Sequence, residues 1–67
     1  MKLTRLAGGC DDGDCPTLYL TDRGTVAVQG TLMADHGLQI PPDETIAEIP
    51  VELIRKVIRD NLIQDTY

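Results

Sequence analysis

The chain has no tryptophan, no phenylalanine and no serine, and a single histidine, His36. Two tyrosines are the only aromatic residues, so the large burial that aromatic rings supply is missing from any core. A chain of 67 residues is expected to be one domain spanning 1–67. At this size only about 60% of the unfolded surface is buried on folding, and small scaffolds usually need a staple. A cross-link, a metal, a second copy or another protein would each serve. Without serine there is no serine triad, and His36 alone must serve any Cys–His arrangement. Gly8-Gly9 lacks the lysine and the context of a phosphate-cradling loop. A non-enzymatic protein is therefore expected.

Positive charge is scarce too. Six basic residues stand against eleven acidic ones, giving a formal charge of −5. Such a chain repels phosphate, which disfavours direct nucleic-acid binding, and attracts a basic protein. No apolar run approaches membrane-spanning length, and none follows Met1-Lys2-Leu3 as in a secretory leader. These absences lead to the expectation of a cytoplasmic protein without a membrane partner.

What is present is patterned. In residues 17–33, TLYLTDRGTVAVQGTLM, Leu18 and Leu20 fall on one face of a strand and Thr17, Tyr19 and Thr21 on the other. Asp22-Arg23-Gly24 suits a three-residue hairpin loop with glycine in the left-handed position. Pairing Thr21 with Thr25 sets Leu20 opposite Val26, Tyr19 opposite Ala27 and Leu18 opposite Val28. Turn chemistry and apolar pattern thus select the same register. Thr31-Leu32-Met33 continues the second strand past Gly30, a point for a bulge or bend. Residues 2–6 and 45–49 are weaker strand candidates, and Pro41-Pro42-Asp43-Glu44 reads as a turn. After Pro50, placed at the first helical position, Val51, Leu53, Ile54, Val57, Ile58, Leu62 and Ile63 recur at helical spacing. The expected fold is α+β: a small antiparallel sheet around a hairpin at 17–33, with one amphipathic C-terminal helix over about 51–63.

The stretch GGCDDGDCPT, residues 8–17, carries both cysteines. Their spacing is compatible with half a zinc site through Cys10 and Cys15, but four ligands are needed and the chain is short of them. A Cys10–Cys15 disulfide is geometrically open, although a cytoplasmic setting argues against a permanent bridge. A nucleophilic thiol would need an orienting group and an enclosed pocket. The plainest reading is a turn, with Asp12-Gly13 as its signal and Pro16 opening the next strand. His36, in Ala34-Asp35-His36-Gly37, reads as a surface loop residue.

From Gly13-Asp14-Cys15 to Val26-Ala27-Val28-Gln29-Gly30-Thr31 the chain resembles small actinomycete proteins of unknown function. Those are encoded beside Xre-type helix-turn-helix regulators, in clusters like the WhiJ system. In that family a Gly-x-Cys leads into a strand, a tight turn, a Val-Ala-Val strand and a short C-terminal helix. The family's tryptophan, its serine-rich stretch and its helix aromatics are absent here, and Gln29-Gly30 replaces a charged pair. The resemblance implies an accessory protein that binds and modulates a DNA-binding transcriptional regulator. The candidate binding residues are Tyr19 and Gln29 on the outer hairpin face, with Asp11, Asp12 and Asp14 in the acidic loop. Two other expectations stand beside it. One is a homodimer or larger homo-oligomer sharing zinc or disulfides through its Cys10/Cys15 loops. The other is an antitoxin-like protein that neutralises a toxic neighbour.

Overall fold

A computed structural model describes residues 1–10 and 15–63. The fold is α+β, as the pattern predicts. Strands β1 (Leu3–Gly8), β2 (Thr17–Thr21) and β3 (Val26–Gln29) form an antiparallel sheet in the order β1-β2-β3. The short strands β4 (Thr31–Leu32) and β5 (Ala47–Glu48) pair in a second sheet, and helix α1 covers Val51–Arg59.

The central register is the one the turn dictates: Leu18 lies opposite Val28, Tyr19 opposite Ala27 and Leu20 opposite Val26. Gly24 takes φ 74°, the left-handed conformation that closes a three-residue loop without steric cost. The Thr21 N–H donates to the Thr25 carbonyl at 2.9 Å. The Thr21 hydroxyl accepts the N–H groups of Arg23 (3.1 Å) and Thr25 (3.2 Å), and meets the Thr25 hydroxyl at 2.6 Å.

Several boundaries differ from the pattern. β1 runs further than residues 2–6, because a β-bulge hides its alternation. Arg5 lies opposite Tyr19 and Ala7 opposite Leu18, so Leu6 is the extra residue. The bulge turns Ala7 onto the Leu18 face, where it is fully buried, and leaves Leu6 packed beside it. The 17–33 hairpin is not one continuous ribbon. It breaks at Gly30, and Thr31 then pairs with Glu48 and Leu32 with Ala47. A Cβ at Gly30 would collide with the Glu48 carbonyl oxygen and stand 2.8 Å from Ile49 Cγ2, so only glycine permits this approach. Of residues 45–49, only Ala47–Glu48 is strand.

Pro50 is the N-cap of α1, not its first helical residue: its ψ of 140° is extended. The helix ends at Arg59, before the 63 that its apolar period suggests. Asn61 adopts φ 50°, its N–H donates to the Ile58 carbonyl (3.2 Å), and the Leu62 N–H donates to the Val57 carbonyl (3.1 Å). That is a Schellman turn with asparagine in the left-handed position. Leu62 and Ile63 keep their apolar role outside the helix, packed on the core. Lys56, then Arg59, bonds the Asp60 carboxylate at the helix end and holds it below the usual carboxylate range.

The buried apolar core comprises Ala7, Leu18, Leu53 and Val57, with Leu6, Ile49, Leu62 and Ile63 partly buried around it. α1 packs against β1. β2, the central strand, is enclosed on both faces: Leu18 is buried on one side, Thr17 and Thr21 on the other. β3 is not, and Val26 (44% exposed) and Val28 (47%) remain open to solvent.

Candidate functional site

The cysteine loop sits at the end of the β1–β2 hairpin. Gly8 pairs with Thr17, and the Gly9 N–H donates to the Pro16 carbonyl (3.1 Å), so the ladder runs up to the cysteines. Cys10 and Cys15 are joined in an intrachain disulfide with Cα atoms 5.7 Å apart. Arg5 Nη2 donates to the Cys10 carbonyl (3.0 Å) and the Thr17 hydroxyl donates to the Cys15 carbonyl (2.8 Å). Neighbouring side chains thus hold the carbonyls of both bridged residues.

This corrects the metal assignment. With both sulfurs bonded to each other, neither Cys10 nor Cys15 offers a thiolate to zinc, and neither is free to bridge to a second chain. Among the described residues, no group of three or more His, Cys, Asp or Glu side chains is placed to hold a metal ion. Asp11, Asp12 and Asp14, the expected acidic docking loop, lie outside the described residues.

Tyr19 and Gln29, the other expected docking residues, are brought together. The Tyr19 hydroxyl donates to Gln29 Oε1 at 3.1 Å, and both side chains are half-buried. His36 is half-buried in its loop, and its Nδ1 accepts the Leu38 N–H at 2.9 Å, so that nitrogen is occupied by backbone. A depression of about 360 Å³ is lined by Pro16, Thr31, Glu48, Ile49 and Pro50, a lining in which Glu48 is the sole titratable side chain.

The apolar surface lies elsewhere. Leu53 and Val57 are the helix residues buried against the sheet, while Val51 (60%), Ile54 (46%) and Ile58 (73%) are exposed. At 100° per residue, Val51, Ile54 and Ile58 form a continuous stripe beside the buried one. Glu52, Arg55, Lys56 and Arg59 occupy the opposite flank, where Arg55 Nη1 pairs with Glu52 at 2.8 Å. The helix is therefore apolar over about half its circumference, and the sheet covers only part of that arc. A signal for this was present in the sequence: seven apolar positions recur after Pro50, more than a sheet so short in aromatics and in strands can cover.

Among the described residues, no helix is long and apolar enough to cross a membrane. No protein family, no curated protein and no solved structure matches the chain.

Proposed function

We infer that this protein is a protein-interaction module whose docking surface is the uncovered stripe Val51, Ile54 and Ile58 on α1. The observation that carries this is the exposure of those side chains on a helix whose other apolar residues, Leu53 and Val57, are buried. Covering each would contribute about 1–2 kcal/mol, since each is already partly shielded. The partner's chemistry follows from charge. With a net charge of −5, and exposed Asp43, Glu44 and Glu48 on the segment leading into the helix, the module favours a basic protein with an apolar groove. A DNA-binding helix-turn-helix regulator has that character, and the likeness to accessory proteins encoded beside such regulators supports the choice. Tyr19 and Gln29 then brace the hairpin through their mutual hydrogen bond.

A DNA-binding partner places the protein in a reducing compartment, where the Cys10–Cys15 bond persists only as a reversible one. Acid-quenched thiol trapping in cells reads its state. The decisive experiment is co-purification with the regulator encoded nearest to the gene, comparing wild type with Ile54→Lys/Ile58→Lys. Both positions are exposed, so the fold is retained. Capture by wild type and a loss of roughly 2 kcal/mol or more in the double variant are expected. Equal capture by both proteins, or by neither, overturns the reading.

A further inference from the structure

We propose that β3 is a self-pairing edge: two copies of the chain join β3 to β3 antiparallel about a two-fold axis at Ala27, making one six-stranded sheet. The hydrogen-bond phase sets this geometry. Residues along an antiparallel pair alternate between those that exchange backbone hydrogen bonds and those that do not. The Thr21 N–H to Thr25 carbonyl bond makes that pair a bonded one. Leu20–Val26 and Leu18–Val28 are then non-bonded pairs, so the N–H and C=O groups of Val26 and Val28 point away from β2. They find no other hydrogen-bond partner among the described residues.

The edge is complementary to itself. With the axis at Ala27, Val26 faces Val28 of the second copy, and the two exchange both backbone bonds. Ala27 faces Ala27 at the close non-bonded spacing that a small side chain suits, and Thr25 faces Gln29. No charged residue occurs from Gly24 to Ala34, so the net charge of −5 on each copy is kept away from the seam. The half-exposed Val26 and Val28 side chains would pack against their counterparts on the same face of the sheet.

The opposite edge of the sheet differs. β1 carries Arg5, follows Lys2 and is interrupted by the bulge at Leu6, all of which blunt an edge against pairing. β3 has none of these devices.

A second copy at β3 uses a different surface from the helix stripe, so the two tests fail independently. Sedimentation equilibrium of the full chain from micromolar to millimolar concentration should reach twice the 7.3 kDa monomer mass. Val28→Lys, which puts a charge on the edge, should weaken association at least about tenfold with an unchanged far-UV circular dichroism spectrum. Val28→Pro should do the same, since the N–H that it removes is the outward one. Ala27→Cys should cross-link two chains on mild oxidation, whereas cysteine at the exposed Leu38 should not. A wild-type monomer at millimolar concentration overturns the proposal. So does a dimer that persists in both Val28 variants, or cross-linking at position 38 as efficient as at 27.

Discussion

Thr21 shows how much one polar side chain carries in so small a molecule. It is only 5% exposed. Its hydroxyl accepts two backbone N–H groups of the turn that follows and is hydrogen-bonded to the Thr25 hydroxyl. Replacing it with valine preserves shape and β-propensity but strands those N–H groups. Thr21→Val should therefore cost about 1–3 kcal/mol, while Thr21→Ser, which keeps the acceptor, should cost less than about 1 kcal/mol. Urea unfolding of the two variants reads the difference, and equal losses would show that the methyl rather than the hydroxyl matters. Alternation alone places Thr21 on the outer face beside Tyr19 and Thr17. That Thr17 and Thr21 are buried there while Tyr19 between them is only half-buried is a matter of tertiary packing, which no local pattern encodes.

At the scale of the element, the end of α1 is defined by one backbone conformation. Asn61 sits at φ 50°, its own N–H satisfies the Ile58 carbonyl, and the N–H of Leu62 satisfies that of Val57. A β-branched residue strongly resists that region, so Asn61→Val should destabilise the fold by about 1–2 kcal/mol. Asn61→Gly should be neutral or stabilising, with thermal unfolding as the measurement. The elements were unequally legible. The β2–β3 register could be read because Asp22-Arg23-Gly24 and the Leu/Val alternation each select it. β1 was half-hidden, because the bulge at Leu6 breaks the period on which recognition of a strand depends. Helical spacing identified which side of α1 is apolar, yet could not say how much of it the sheet covers. The same limit applied to the hairpin residues offered for docking. Tyr19 and Gln29 were legible as neighbours across strands, but their bond to each other depends on rotamers. The Cys10/Cys15 loop was recognisable as a special place, whereas spacing left turn, metal and bridge all open.

At the scale of the whole molecule, the chain is loosely gathered. Its radius of gyration is 12.9 Å, against about 11 Å for a compact domain of this length. In such a fold the Cys10–Cys15 bond has weight. It closes a short loop, which in the chain-entropy account is worth about 2 kcal/mol. Cys10→Ala/Cys15→Ala should lose that amount when unfolded at a fixed protein concentration, and a chelator should leave the wild-type midpoint unchanged. A midpoint that falls with chelator would reinstate a metal. Gly30 ties the parts together. There the chain leaves the strand proposed to meet a second copy and passes against Glu48 and Ile49, one step before the helix begins. With no room there for a methyl group, Gly30 holds the end of β3 close against the Glu48–Ile49 segment that leads into α1.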